Sequence, residues 1–355
     1  MNQIERFRPR IPDHVDAVLI RSNANRAYFT GFRTTAGTLL FTREKAFYIV
    51  DSRYIEITTQ SVKHCTVLLE EKLEDQLRQL VSENGIRTVG TETTSLSFAD
   101  MRRFAAMVAP AQLLEDNDTT DAISRQRCIK TAEEIEFLTR AQDITDRAFL
   151  DGMEAIRPGV CELDAINRMG MYMAKNGSDS RTFDFIFTSG ARTSLPHGSK
   201  AYKDIEAGDF VMMDMGCQVG GYGSDMTRTV AVSHVTPEQR SVYEIVLEAQ
   251  QRALALIRPG VRCRDVDAAA RDYIAAKGYG DNFGHGLGHS LGIEIHENPR
   301  FNQVTEDVLE EGMVMTVEPG IYLPGRFGVR IEDMVVVTAS GYHNMTKSPK
   351  ELVVL

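Results

Sequence analysis

The chain has 355 residues and a formal net charge of −10, from 40 Lys+Arg against 50 Asp+Glu. That length exceeds the ~250–300 residues at which one hydrophobic core stops growing, so two domains are expected. At 43% hydrophobic and 25% charged the composition is globular, and its acidic balance argues against nucleic acid or an anionic membrane as a partner.

No run approaches the ~18 apolar residues of a membrane span, and the start, MNQIERFRPR, lacks the apolar run of a signal peptide. Cys65, Cys128, Cys161, Cys217 and Cys263 are scattered without a C-x-x-C pair, which reads as free thiols in a reducing cytoplasm. Ala17–Ile20 is a short apolar strand, and Thr38–Thr42 and Ala46–Val50 are two more, joined by the polar turn Arg43-Glu44-Lys45. Within Glu70–Glu83 the apolar residues Leu73, Leu77, Leu80 and Val81 keep a helical period, and Gly85 ends it. Arg87–Gly90 follows as a strand. The polar stretch Glu115–Thr120 (EDNDTT) is taken as the boundary between a domain of residues 1–122 and one of residues 123–355, the other reading being an ordinary surface loop.

Thr131 and Glu134 form a capping box before Ile135, Leu138, Ala141 and Ile144, so a helix is expected from there to Ile156, stopped by Arg157-Pro158-Gly159. A second helix opens with Thr236 as cap, Pro237 at its first position and Gln239 completing the box. Both helices end in the pentapeptide IRPGV, at Ile156–Val160 and Ile257–Val261, 101 residues apart (257 − 156). Asp164 and Asp265 keep the same offset, and each copy leads into a helix closed at Gly177 or Gly278. The shared context argues for an internal duplication and for a site at the junction of two similar halves.

Each half carries acids inside apolar strands. Asp214 lies in Phe210–Met215, and Asp225 opens the return strand to Val232 after a turn rich in glycine (Gly216, Gly220, Gly221, Gly223). The midpoint of Asp214 and Asp225 falls at 219.5, inside that turn, so a hairpin would set them face to face unless a bulge shifts the pairing. In the second half Glu318 follows Met313–Val317, and Glu332 lies in the return strand Val329–Val335, with their midpoint at Gly325. Four carboxylates in an apolar core would stay protonated unless a cation joined them, and hard divalent ions with oxygen ligands suit such a set. Between the halves, Asn282–Glu297 holds His285, His289 and His296 in a Gly-rich loop followed by an alternating segment read as a strand ending at His296. The order is not that of an HExxH helix.

These motifs resemble the pita-bread metallopeptidases, which include methionine aminopeptidase, aminopeptidase P and prolidase. The family's ligand order of Asp, Asp, His, Glu, Glu is matched by Asp214 in VMMDMG, Asp225 in GSDMTRT, His289 in GHGLGHSLGIEIHE, Glu318 in TVEPG and Glu332 in VRIEDMV. Residues 1–122 resemble the creatinase-type N-terminal domain, through NRAYFTGF at residues 25–32 and Asp51-Ser52-Arg53-Tyr54. The resemblance implies a mixed α/β (α+β) protein with a pita-bread catalytic domain of two pseudo-symmetric halves behind a smaller α/β domain. It implies two divalent ions, Mn2+ before Co2+ or Zn2+, with Asp214 on one, His289 and Glu318 on the other, and Asp225 and Glu332 bridging. A metal-bridged hydroxide would attack the scissile carbonyl, Glu318 would pass the proton to the leaving nitrogen, and His197 and His296 would stabilise the tetrahedral intermediate. His285, Arg300, Tyr322 and Arg330 are candidates for contact with substrate, Arg300 through a substrate carboxylate, while Arg330 is expected to pair with an acidic ligand. The expected activity is that of an aminopeptidase P, releasing the N-terminal residue of peptides with proline second, in a cytoplasmic homodimer. The alternative is prolidase, which cuts Xaa-Pro dipeptides. Methionine aminopeptidase, the metal-free creatinase reaction and a non-catalytic binding protein of the same fold stand further back.

Overall fold

In the computed structural model, which describes residues 1–199 and 201–355, the chain falls into two units, Met1–Arg127 and Cys128–Leu355.

The first unit opens with α1 (Gln3–Phe7), held by a capping box between Asn2 and Glu5, then β1 (Ala17–Ile20) and α2 (Asn23–Thr30). The expected hairpin follows as β2 (Thr38–Thr42) and β3 (Ala46–Val50), with Leu40 opposite Phe47. After α3 (Ile55–Ser61) and β4 (Thr66–Leu69) comes α4 (Leu73–Glu83), which buries Leu73, Leu77, Leu80 and Val81, the stripe that its period predicts. β5 (Thr88–Thr91), α5 (Phe98–Val108), β6 (Gln112–Leu113) and α6 (Asp118–Cys128) complete the unit. Its six strands are ordered β4-β3-β2-β1-β5-β6, antiparallel through β1, β2 and β3 and parallel elsewhere. Leu77 and Leu80 of α4 and Phe104 of α5 share one core with Leu19, Leu40, Ile49 and Val89 of the sheet. The boundary expected after residue 122 differs from the structure. Polar as it is, the stretch beginning at Glu115 feeds α6, where Asp118 and Asp121 sit favourably in the first turn, and the units divide at Arg127/Cys128.

The second unit begins with α7 (Ala132–Met153) under the Thr131/Glu134 capping box; it ends three residues short of Ile156 because Glu154 already closes it. Then follow α8 (Glu162–Lys175), β7 (Ser180–Arg181), β8 (Ile186–Ser189), β9 (Phe210–Met215), β10 (Cys217–Val219), β11 (Tyr222–Gly223) and β12 (Met226–Ala231). The second copy of the helix pair is α9 (Pro237–Leu254), capped by Thr236 and Gln239, and α10 (Cys263–Ala276). The last strands are β13 (Gly288–Ser290), β14 (Glu297–Phe301), β15 (Val314–Val317), β16 (Gly320–Leu323), β17 (Phe327–Arg330), β18 (Asp333–Val337) and β19 (Tyr342–Asn344).

The duplicated pentapeptide forms the same structure twice. Gly159 and Gly260 have φ of 87° and 89°, and each donates its N–H at 2.9 Å to a distant carbonyl, Ile205 and Leu309 respectively. Those two residues return an N–H to Val160 and Val261 at 2.9 and 2.8 Å. The strand order β12-β9-β8 in one half recurs as β18-β15-β13 inside the five-stranded sheet β14-β13-β15-β18-β19 of the other. In β9, Val211, Met213 and Met215 enter the core with α7 and α8, so period-2 alternation turns Asp214 to the opposite face. Met315 and Val317 of β15 do the same against α9 and α10. None of the five cysteines is in a disulfide, and among the described residues no helix is long and apolar enough to cross a membrane.

Candidate metal centre and active site

Asp214 and Asp225 are not opposite each other as their midpoint implied. In the β9–β12 ladder Asp214 faces Thr227 and Met215 faces Met226. The two-residue turn at Gly220-Gly221, with φ of 58° and 87°, sets Val219 against Tyr222 and so moves the hairpin centre to 220.5. A one-residue shift of centre moves each partner by two positions, which keeps the face. Asp225 therefore remains on the side of Asp214, diagonal to it. In the second half, Val317 faces Asp333 and Gly320 faces Arg330, which brackets Glu318 and Glu332 at the register their midpoint predicted.

The structure gathers Asp214, Asp225, His289, Glu318 and Glu332 with His197, His285, His296, Arg300 and Arg330 around a cavity of about 640 Å³. Ligand atoms of Asp225, His289 and Glu332, all three buried, lie within 4.8 Å of one another. His289 Nε2 is 3.3 Å from Glu318 Oε1 and 3.6 Å from Asp225 Oδ2. Its Nδ1 lies 3.1 Å from the Ser290 carbonyl, which can only accept, so Nδ1 carries the hydrogen and Nε2 presents its lone pair to the acids. Burial, aided by His296, pushes His289 down to about 3, so the ring stays neutral, as a ligand must. Gly288 lets the strands close, since a Cβ there would sit 2.1 Å from the Thr316 carbonyl.

The carboxyls show the reverse effect. Burial drives Asp214 up despite Arg330, and drives Asp225 and Glu332 well up with the charges of neighbouring acids added. Glu318, buried in the same cluster, is pushed up to about 7. Three of the four acids are nevertheless aimed by a donor, Asp214 by Arg330. Thr227 Oγ1 donates to Glu332 Oε2 at 2.7 Å, and Thr316 Oγ1 to Glu318 Oε1 at 3.1 Å. Buried Asp214 Oδ1 and Asp225 Oδ1 have no hydrogen-bond partner. Oriented, crowded carboxylates with unspent lone pairs beside one neutral imidazole are what hard or borderline divalent cations need, and the residues present fit such ions.

Arg330 lines the cavity yet is only 3% exposed, and four hydrogen bonds hold its guanidinium. It donates to Asp214 Oδ2 at 2.6 Å, as expected, and also to Thr227 Oγ1, the Pro196 carbonyl and the Tyr322 hydroxyl, at 2.9–3.1 Å. The Pro196 bond ties down the turn bearing His197. Tyr322 is buried and is not among the residues lining the cavity; its hydroxyl accepts from Arg330 and donates to His285 Nε2 at 2.9 Å. His285 Nδ1 donates to the Gly286 carbonyl at 2.8 Å, and burial holds the ring down to about 4. His285, so held, also lines the cavity. His296 and Arg300 remain exposed at the cavity, the His296 ring 4.5 Å from that of His289 and at 80° to it. Residues 291–296 form a loop, not the strand that their alternation suggested. Sequence reasoning passed over Thr227 and Thr316, whose only local signal is a hydroxyl two residues from a ligand. It also passed over Phe183, Phe185 and Phe301, which give the cavity its apolar wall.

The sequence matches the family model of metallopeptidase family M24 over residues 136–339 and that of the creatinase/prolidase N-terminal domain over residues 4–129. An Xaa-Pro dipeptidase of Pyrococcus horikoshii is 38% identical, with 96% of this chain and 95% of the relative covered. The solved structure of an Xaa-Pro dipeptidase from Bacillus anthracis superposes with a TM-score of 0.94 at 40% identity, covering 99% of each chain. That of an X-Pro aminopeptidase from Thermotoga maritima superposes with a TM-score of 0.93 at 35% identity, covering 100% of each.

Proposed function

The chain belongs to metallopeptidase family M24, with a pita-bread catalytic domain behind a creatinase/prolidase N-terminal domain, and on that premise we propose that it is an Xaa-Pro dipeptidase. The observation that carries this reading is that relatives named Xaa-Pro dipeptidase match it from end to end at 38% and 40% identity. Aminopeptidase P, favoured from the sequence, becomes the second reading. It keeps the support of the Thermotoga structure, whose similar TM-score means that the fold does not separate the two.

Asp214, Asp225, His289, Glu318 and Glu332 would hold two divalent cations. When bound, these supply Lewis acidity and make water nucleophilic near neutral pH. The remaining work belongs to the chain. Arg330 holds Asp214 by one oxygen, and the other, Oδ1, has no hydrogen-bond partner. Glu318 would carry a proton to the proline nitrogen, which as a tertiary amide has no hydrogen of its own and must gain one to leave. His197 and His296, both at the cavity, would donate to the carbonyl oxygen as it gains charge. The exposed guanidinium of Arg300 in the cavity lining supplies a partner for the free carboxylate that a dipeptide places directly after its scissile bond.

Hydrolysis of Ala-Pro against Ala-Pro-Ala, each with Mn2+, Co2+ or Zn2+, tests the assignment. Cleavage confined to Ala-Pro is expected, together with a rise in KM of at least tenfold for Arg300→Ala. Equal cleavage of the tripeptide returns the assignment to aminopeptidase P.

A further inference from the structure

A second charged group lies under the loop that carries His289 and His296. Lys130, just past the division between the two units, has a side chain only 1% exposed, and its partner Glu297 has one 5% exposed. Lys130 Nζ donates to Ser290 Oγ at 2.9 Å and stands 3.4 Å from Glu297 Oε2. The other oxygen of Glu297 accepts the backbone N–H of Glu294 at 3.1 Å. A Cβ on residue 292 would lie 2.9 and 3.0 Å from those two oxygens, so Gly292 leaves the space that the carboxylate fills. The backbone of Lys130 is itself anchored, its N–H donating to the Gly312 carbonyl at 2.9 Å.

Both side chains that Lys130 meets stand next in sequence to a histidine of the site, Ser290 after His289 and Glu297 after His296. Along β13 and β14, His289 pairs with Arg300 but Ser290 pairs with Glu297, so two residues of β14 are skipped at that step. The skip bends the chain and brings residues 291–296 back over the site, with the two imidazoles in edge contact. Ser290 also supplies the carbonyl that fixes the His289 tautomer. Desolvating a buried ion pair offsets much of its Coulombic gain, so stability alone is a weak reason for this one. Its location offers a better reason.

We propose that Lys130, acting through Ser290 and Glu297, is a positioning residue that locks the irregular β13–β14 step and so aims the His289 lone pair at the metal. The proposal rests on the reading of His289 as a ligand and is independent of which Xaa-Pro substrate is cut.

The test is calorimetric titration of the metal-free full-length protein with MnCl2, with melting temperatures measured in parallel. Lys130→Met is expected to weaken at least one Mn2+ equivalent by about 10–100-fold, the range typical of groups that orient a metal ligand. Adding Glu297→Gln removes the stranded buried carboxylate, so the double variant is expected to regain its melting temperature while Mn2+ binding stays weak. Wild-type affinity in Lys130→Met, or recovery of affinity along with stability in the double variant, overturns the proposal. Should Lys130→Met fail to fold, Ser290→Ala keeps the ion pair and removes one bond; several-fold weaker Mn2+ binding at an unchanged melting temperature is expected, and unchanged binding overturns the proposal. A wild type that binds Mn2+ but cuts no Xaa-Pro peptide would count against the proposed function alone.

Discussion

Arg330 shows how many groups of the candidate site a single side chain can hold. One guanidinium reaches a ligand carboxylate, the threonine that aims another ligand, the carbonyl beside His197 and the hydroxyl that leads to His285. A lysine carries the charge but lacks the planar fork needed to meet four partners at once. Arg330→Lys is therefore expected to weaken Mn2+ binding by about 10–100-fold, measured by calorimetry. Glu318 allows a prediction of pH dependence in the metal-free protein. Its carboxyl titrates at about 7 when folded, against an ordinary value of 4.5, so between those limits the folded state holds more protons than the unfolded one. Stability then falls as pH rises through that window. Urea unfolding of wild type and Glu318→Gln from pH 4.5 to 7.5, both freed of metal, should show the wild type losing stability relative to the variant; parallel curves would contradict it.

Among the elements, the β10–β11 turn does more than reverse the chain. The Gly220-Gly221 pair places the hairpin centre one residue beyond the simple midpoint, and thereby decides that Asp214 faces Thr227. Gly220 has φ of 58°, and a Cβ there would stand 2.6 Å from the Phe137 ring. Gly220→Ala should cost about 1–3 kcal/mol in urea unfolding, from overpacking and the left-handed backbone together. The helix starts were legible because capping boxes are local: the Thr131/Glu134 and Thr236/Gln239 pairs each lie three residues apart and form as written. Thr236→Ala is expected to cost about 1 kcal/mol in the same assay. Residues 291–296 alternate apolar and polar side chains as a strand does, yet form a loop. The deciding partner, Lys130, lies 160 residues from Ser290 and leaves no trace in that stretch.

For the whole molecule, the duplicated frame explains why the acids come in two pairs. Each half supplies a three-stranded core backed by two helices, and each strand pair offers carboxylates on the face turned from its helices. Gathering them raises their proton affinity and burdens the fold, and bound cations relieve that burden. Removal of metal by a chelator should lower the melting temperature, and readdition at about 100 times Kd should restore about 2.7 kcal/mol, read by calorimetry. The sequence by itself determined the candidate donor set, its order along the chain, the duplication and the apolar periods of the main helices, because these are written in residue type and short spacing. Tertiary structure alone decided the register around Gly220-Gly221, the burial of Arg330 against Tyr322 and the Lys130–Glu297 pair beneath the histidines. The contacts of Arg330 and Lys130 reach residues 8 to 167 positions away, and the register around Gly220-Gly221 follows from a turn that the simple midpoint does not reveal. A side chain's partners at such distances follow from packing, which no local pattern encodes.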